Sequence, residues 1–197
     1  MREVELKAVL DDWDARRRRL DAAGARLVFA GRLEDRRYDT AARELVARDV
    51  VLRLRVYRNG DRTTAELGWK GATGYEGGYK VREELQAATD DALALAQILE
   101  RLGYVVTRVI DRVIAQYELG DTIIRFERYP RMDDLVEVEG TPAGIERAIE
   151  ALGIPRAHFT SERLPQFVQR FQARTGERAA LCDDELTGVC LYSLEDA

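Results

Sequence analysis

The feature that most constrains this fold is a two-residue alternation, in which charged side chains occupy every second position between apolar ones. It is clearest in residues 3–7, 52–56 and 136–139. Because successive side chains of a β-strand point to opposite faces, each such segment is predicted to be a strand with one charged and one apolar face. Six segments share the pattern, so the chain is expected to build a sheet with an unusually charged side.

Turn signals separate these segments and predict their pairing. The pair Asn59-Gly60 lies between two alternating segments, which is typical of a tight antiparallel hairpin. About eight strands are predicted, at residues 3–10, 37–39, 50–58, 63–70, 79–86, 105–119, 122–129 and 135–139. The glycine-rich residues 71–78 are expected to be a hairpin connection, with a mobile lid as the alternative.

Amphipathic helices are predicted at residues 11–23, 90–102, 141–152, and from 160 or 161 to 174. A helix with one apolar stripe needs a surface to cover, and the apolar faces of the strands supply one. The charged faces then look either to solvent, as in an ordinary half-exposed sheet, or into a closed barrel. Residues from 176 onward show no such pattern and are expected to form a poorly organised tail.

The spacing of like charges favours the interior of a barrel. Glu3 with Glu5 and Arg53 with Arg55 place equal charges two residues apart, where they repel unless an opposite charge lies between them. A divalent cation fits between carboxylates, and a polyphosphate fits between arginines. Mg²⁺ and Mn²⁺ are the expected metals because both prefer oxygen ligands. One histidine and two cysteines near the C-terminus do not make a zinc site.

The composition of the chain argues against several other classes of protein. A chain of 197 residues fits a single domain, and it contains neither an apolar run long enough to span a bilayer nor an apolar N-terminal signal. Only Cys182 and Cys190 occur, so no disulfide framework is expected and a cytoplasmic location fits best. The net charge of -5 argues against a general nucleic-acid binder. We therefore expect neither a membrane nor a nucleic acid as partner.

Several motifs follow one another in a recognisable order. They are Glu3-Val4-Glu5-Leu6-Lys7, Tyr38-Asp39, Leu52-Arg53-Leu54-Arg55, Trp69-Lys70-Gly71, Arg82 with Glu84, Leu102-Gly103-Tyr104, a strand ending in Glu127, and Glu137-Val138-Glu139-Gly140. Over about residues 1–172 the chain resembles the CYTH superfamily of triphosphate tunnel metalloenzymes. That superfamily includes class IV adenylate cyclases, thiamine triphosphatases and inorganic tripolyphosphatases.

The resemblance implies an α+β fold, an eight-stranded antiparallel β-barrel that forms a triphosphate tunnel with helices packed outside. The tunnel domain would cover residues 1–175 and the tail residues 176–197. Carried over by motif, the predicted metal ligands are Glu3, Glu5, Glu127, Glu137 and Glu139. The predicted triphosphate-binding residues are Lys7, Arg53, Arg55, Lys70, Arg82 and Arg112. Glu127 and Glu84 are the predicted catalytic residues, and Glu84 is either a metal ligand or a partner that fixes the arginines.

The chain departs from the family pattern at three places. Ile114 stands where the family usually carries a second basic residue of a Lys-x-Arg pair, Glu127 replaces an aspartate, and Ser161 is followed by a glutamate instead of a tyrosine. The basic residues that could compensate for Ile114 are Arg108, Arg125, Arg128 and Arg131. Tyr129 is expected to be a packing residue.

Three functions remain open from the sequence. The first is a metal-dependent phosphohydrolase that acts on tripolyphosphate or on an organic triphosphate such as thiamine triphosphate. The second is a class IV-type adenylate cyclase that converts ATP to cyclic AMP and pyrophosphate, and the third is a polyphosphate- or nucleotide-binding module without catalysis. The expected partner is a small molecule that carries a triphosphate. A homodimer is left open, since no sequence feature marks an interface.

Overall fold

Nine strands and six α-helices lie within residues 2–193, the part of the chain that this computed structural model describes. The strands are β1 (Arg2–Val9), β2 (Arg26–Thr40), β3 (Val51–Asn59), β4 (Arg62–Lys70), β5 (Gly74–Glu76), β6 (Tyr79–Thr89), β7 (Tyr104–Leu119), β8 (Thr122–Arg128) and β9 (Leu135–Glu139). The α-helices are α1 (Trp13–Ala22), α2 (Glu44–Ala47), α3 (Ala92–Arg101), α4 (Pro142–Leu152), α5 (Leu164–Thr175) and α6 (Asp183–Thr187), and a 3₁₀ turn covers Arg156–His158.

Eight of the strands close into an antiparallel barrel. Their order is β1-β9-β8-β7-β2-β3-β4-β6, and β1 also pairs with β6, which joins the two ends. The ninth strand, β5, pairs with β6 as a short hairpin, so residues 71–78 form the expected hairpin connection. The predicted fold, an eight-stranded antiparallel barrel with helices outside, is confirmed.

Strand β2 is much longer than the sequence pattern indicated. Only residues 37–39 were expected to be extended, whereas β2 runs from Arg26 to Thr40 and pairs with both β3 and β7. Gly31 and adjacent charges interrupt the alternation and hide the strand from a pattern search. The glycine has a structural reason, because a Cβ at position 31 would lie 2.2 Å from the carbonyl oxygen of Arg58.

The helices cover the outer, apolar face of the barrel. Helix α4 buries Ile145 and Ile149 in a core with Leu6, Phe126 and Val138 from the strands beneath it. A second core forms under α5, and a third lies between α3 and the β3–β4 region. With its apolar outer face covered in this way, the sheet turns its charged face inward.

Helix α5 begins later than predicted. Its N-cap is Arg163, not Thr160 or Ser161. The backbone of Thr160 exchanges two hydrogen bonds with Lys7, of 2.8 and 2.9 Å, which keeps the chain extended at that point. Pro165 lies in the first turn of the helix, as expected.

Residues 176–193 differ from the expected poorly organised tail. Ala180 forms a β-bridge with Arg131, and the backbone N–H of Asp111 on β7 donates a 2.8 Å hydrogen bond to the carbonyl oxygen of Leu181. Leu181 and Cys182 are buried, and α6 follows them. The apolar run that contains Leu181 and Cys182 is too short to give a periodic signal. The surface that it covers exists only in the folded barrel. Residues 194–197 of the predicted tail lie outside the described part of the chain.

Within residues 2–193, no helix combines the length and the apolar character that crossing a lipid bilayer requires.

Candidate functional site

The interior of the barrel is lined by charged side chains that are almost completely buried. They enclose a cavity with a free volume of about 80 Å³. The buried charged residues on the inward face include Glu3, Glu5, Lys7, Asp35, Arg53, Arg55, Lys70, Lys80, Arg82, Glu84, Arg108, Arg112, Arg125, Glu127 and Glu137, each at most 9% exposed. The charged strand faces therefore meet in the interior and do not face solvent, as the spacing of like charges indicated.

Three carboxylates gather at one end of the barrel. Glu3 on β1, Glu84 on β6 and Glu139 on β9 each place one oxygen within 4.8 Å of the others. The strand order explains the meeting, because β1 pairs with β6 along one edge and with β9 along the other. Glu3 also contacts Lys70, and Glu84 accepts a 2.8 Å hydrogen bond from Arg53.

Lys70 and Arg53 neutralise this group of carboxylates only in part. One oxygen of Glu3, Oε2, is buried and has no hydrogen-bond partner among residues 2–193. Burial, together with the negative charges of Glu3 and Glu137, raises the pKa of Glu139 to about 7. The donors are all carboxylate oxygens, the type that Mg²⁺ and Mn²⁺ prefer. The three residues therefore fit a hard divalent cation.

The raised pKa of Glu139 predicts a stability effect with a definite sign. In the folded protein this carboxyl holds its proton up to about pH 7, whereas the unfolded chain loses it near the ordinary value of 4.5. The free energy of unfolding therefore falls as pH rises through this window. We expect Glu139→Gln to stabilise the metal-free protein by about 2 kcal/mol at pH 8 and by little at pH 5.

Urea unfolding of both proteins in chelator at the two pH values measures this difference. Glu118→Gln is the control, because Glu118 forms an ion pair with Arg26 at the surface of the barrel. A stabilisation by Glu139→Gln that is equal at pH 5 and pH 8 would contradict the assignment of the raised pKa.

The predicted ligands Glu5 and Glu137 have cationic partners in the structure. Glu5 accepts hydrogen bonds from Lys80 at 2.6 Å and from Lys7 at 3.1 Å, while Glu137 contacts Lys7 and accepts a 2.8 Å bond from Arg125. Burial alone would raise the pKa of Glu5, but the neighbouring lysines hold it well below its ordinary value. Burial also tends to raise the pKa of Glu137, but the charges of Lys7 and Arg125 outweigh it and lower this pKa to about 2. Both side chains are thus carboxylates within ion pairs.

Glu127 lies deeper along the barrel, away from the three-carboxylate group. Its Oε1 accepts a 2.8 Å hydrogen bond from Nε of Arg112, and its Oε2 accepts a 2.7 Å bond from the hydroxyl of Tyr129. Tyr129, expected to be a packing residue, is therefore both part of the core and a lining residue of the cavity. The carboxylate of Glu127 fixes the guanidinium of Arg112.

Asp35 is a site residue that the sequence interpretation missed. It is 1% exposed, and its Oδ2 lies 3.1 Å from Nε of Arg55 and 3.8 Å from Nη1 of Arg53. Although burial raises the pKa of Asp35, the two guanidinium groups hold it below its ordinary range. Asp35 belongs to β2, the strand whose pattern was hidden, so only an alternation search that tolerates a glycine could have found it.

Three further basic residues line the cavity without having been predicted as ligands: Arg37, Lys80 and Arg163. Arg163 comes from the N-terminus of α5, where its Nη2 lies 3.1 Å from Asp49. Arg82, a predicted ligand, donates two 2.6 Å hydrogen bonds to the carbonyl oxygens of Gly71 and Asp49. Arg82 and Arg163 thus meet at Asp49, at the mouth of the cavity.

The four arginines considered as replacements for a basic residue at position 114 separate into two groups. Arg125 lies inside the barrel on Glu137, and Arg108 is buried on the inward face of β7. Arg128 forms an exposed ion pair with Asp134, and Arg131 donates a hydrogen bond to the carbonyl oxygen of Arg178. Arg125 and Arg108 are therefore the two that lie near the cavity.

Solved structures share this fold over nearly their whole length. A Vibrio parahaemolyticus protein, provisionally assigned as an adenylate cyclase, aligns with a TM-score of 0.71 and 17% identity over 85% of this chain and 97% of its own. A Pyrococcus horikoshii protein aligns with a TM-score of 0.70 and 19% identity over 85% and 98%. A Hippeastrum protein, provisionally assigned as an adenylyl cyclase and described as having a dominant triphosphatase activity, aligns with a TM-score of 0.61 and 18% identity over 91% and 98%.

At these identities the solved structures establish the likeness of fold. No curated protein matches the chain significantly. The family model of the CYTH domain matches residues 1–146, about three quarters of the chain. On this match, and with the closed barrel and its charged interior in agreement, the chain belongs to the CYTH domain family.

Proposed function

We propose that this protein is a divalent-metal-dependent phosphohydrolase that acts on a triphosphate, either inorganic tripolyphosphate or an organic triphosphate such as thiamine triphosphate. The observation that carries the proposal is a group of three carboxylates next to many buried basic residues inside the barrel. Glu3, Glu84 and Glu139 place oxygens within 4.8 Å of one another at one end, and buried lysines and arginines line the adjoining cavity. Membership of the CYTH family supports the same class of substrate.

The basic lining would hold the phosphate oxygens. Arg53, Arg55 and Arg112 each have a carboxylate partner that fixes the guanidinium, and Lys7 and Lys70 contribute ammonium groups. Arginine binds phosphate through two parallel hydrogen bonds, and its strength increases where water is excluded. Phosphoryl transfer depends mainly on positioning and charge neutralisation, which a prearranged lining supplies.

Glu3, Glu84 and Glu139 would hold the metal, and Mg²⁺ or Mn²⁺ bound there would neutralise phosphate oxygens and polarise the phosphorus centre. The other predicted ligands, Glu5 and Glu137, would orient Lys7 from either side. The predicted catalytic residue Glu127 would position Arg112. Arg112 and Tyr129 occupy only two of the roughly four acceptor positions of this carboxylate, so Glu127 can also accept a proton.

Product analysis of the full-length protein tests the proposal. Tripolyphosphate, thiamine triphosphate and ATP are each incubated with Mg²⁺, with Mn²⁺ or with chelator. Metal-dependent release of phosphate from at least one of them is the expected result. Cyclic AMP and pyrophosphate as the main products from ATP would identify a cyclase instead, and tight binding of a triphosphate without turnover would identify a binding module.

A further inference from the structure

Arg108 extends the inward face of β7 beyond the residues so far placed in the site. Arg108, Ile110 and Arg112 alternate along one face of the strand, and both Ile110 and Arg112 line the cavity. On the neighbouring strand β2, the register partner of Arg108 is Arg37, another lining residue. With 1% of its surface exposed, Arg108 is buried beside this lining, and it borders a neighbouring cavity of about 390 Å³ together with Glu185 and Tyr192.

The C-terminal segment, residues 176–193, covers this arginine. Nη1 of Arg108 donates a 2.8 Å hydrogen bond to the carbonyl oxygen of Ser193, and the guanidinium carbon lies 5.7 Å from the ring centre of Tyr192. Nη2 lies 3.4 Å from each carboxylate oxygen of Glu185, beyond the 2.7–2.9 Å of a tight charge-assisted bond. Nε is buried without a hydrogen-bond partner among residues 2–193. The ion pair is thus loose and leaves one donor unused.

The surroundings of Arg108 are strongly cationic. Burial and the charges of Arg53, Arg108 and Arg112 lower the pKa of Arg37 to about 9, although Asp35 opposes the shift. Asp35 itself contacts Arg53 and Arg55. Glu185 is therefore an anionic group of the C-terminal segment that contacts this cationic cluster through Arg108, and it is itself 6% exposed.

We propose that Arg108 is a further substrate-binding residue, and that Glu185 occupies the position of a phosphate group until a triphosphate displaces it. The inference rests on the proposed function for the identity of the ligand. A phosphate carries more negative charge than a carboxylate and more acceptor oxygens, so it can engage both Nη2 and the unused Nε of Arg108. Glu185 then competes with the substrate and lowers its affinity.

A purely structural role for Arg108 and Glu185 predicts different effects on triphosphate affinity. Glu185 also accepts a 2.8 Å hydrogen bond from the backbone N–H of Leu181, so the pair could simply anchor the C-terminal segment. As an anchor, Arg108 and Glu185 would act together, and removing either charge would alter triphosphate affinity in the same direction. As competitors for the ligand site, they act in opposite directions.

Titration calorimetry of the full-length protein with tripolyphosphate in chelator, where metal-dependent hydrolysis does not proceed, separates the two roles. We expect Arg108→Gln to weaken tripolyphosphate binding by about 10- to 100-fold, the usual range for a hydrogen bond to a charged group. Glu185→Gln, which keeps an acceptor for Leu181, is expected to tighten binding by about 3- to 10-fold. The matched control is Asp183→Asn, because Asp183 anchors the same segment through Arg32 at the surface, and its affinity should be unchanged.

Changes in the same direction for Arg108→Gln and Glu185→Gln, or no change in either, would overturn the inference. Thermal unfolding checks that each variant is folded. If Arg108→Gln is not folded, Arg108→Lys replaces it, because lysine keeps the charge but lacks the planar guanidinium. An intermediate loss of tripolyphosphate affinity is then expected. Affinity is measured without turnover. The predicted pattern without hydrolysis would therefore refute the hydrolase alone, while hydrolysis without the pattern would refute the role of Arg108. A wild-type protein that does not bind tripolyphosphate would refute both.

Discussion

The Glu3→Gln variant is expected to lose metal-dependent triphosphate hydrolysis by about 100-fold or more, because a bound divalent metal contributes several kcal/mol of charge stabilisation. Glu3 shares the acidic group with Glu84 and Glu139, and its Oε2 has no other partner among residues 2–193. The amide has nearly the same volume as the carboxylate, so the barrel should remain folded. Turnover at saturating Mg²⁺, together with the Mg²⁺ concentration at half-maximal rate, measures the effect.

A matched control separates loss of the metal site from a general charge effect. Glu118→Gln removes an equal charge from a partly exposed ion pair with Arg26 and should leave turnover unchanged. Added Mg²⁺ should also raise the unfolding temperature of the wild-type protein, and this rise should disappear in Glu3→Gln. Full activity with an unchanged Mg²⁺ requirement in Glu3→Gln would refute the assignment of this group as the metal site.

Replacing Arg53 by glutamine is expected to weaken tripolyphosphate binding by about 10- to 100-fold. Arg53 is 5% exposed, its Nη2 lies 2.8 Å from Glu84, and its Nη1 lies 3.8 Å from Asp35. It therefore stands between the acidic group and the basic lining, where a triphosphate that contacts both must pass. Calorimetric titration with tripolyphosphate gives the dissociation constant directly.

A surface arginine serves as the control for the Arg53 variant. Arg17 on α1 is about half exposed and lies 3.9 Å from Asp21, so Arg17→Ala should not change the affinity. Its neighbours Arg16 and Arg19 are unsuitable as controls, since both donate hydrogen bonds to carbonyl groups at the end of α4. Equal losses in the Arg53 and Arg17 variants would mean that long-range charge, and not contact inside the barrel, governs binding.

Prediction from the sequence succeeded where a strand keeps its two-residue period. In β1, β3 and β9 the alternation identified both the strand and its charged face, and the predicted residues Glu3, Arg53 and Glu137 all lie inside the barrel. It failed in β2, where a glycine required by a close backbone approach breaks the period. Asp35 was missed with that strand, although it holds two of the arginines that were predicted.

The sequence by itself determined that this chain has strands with one charged and one apolar face, because side-chain direction in a strand follows from residue spacing alone. Tertiary structure decided which acidic residues form the three-carboxylate group and which form ion pairs only. The registers of β6, β1 and β9 bring oxygens of Glu3, Glu84 and Glu139 within 4.8 Å of one another, whereas Glu5 and Glu137 are held by Lys7, Lys80 and Arg125. It also decided the position of the C-terminal segment over Arg108. Both outcomes depend on contacts between residues far apart in the chain, which only barrel closure brings together.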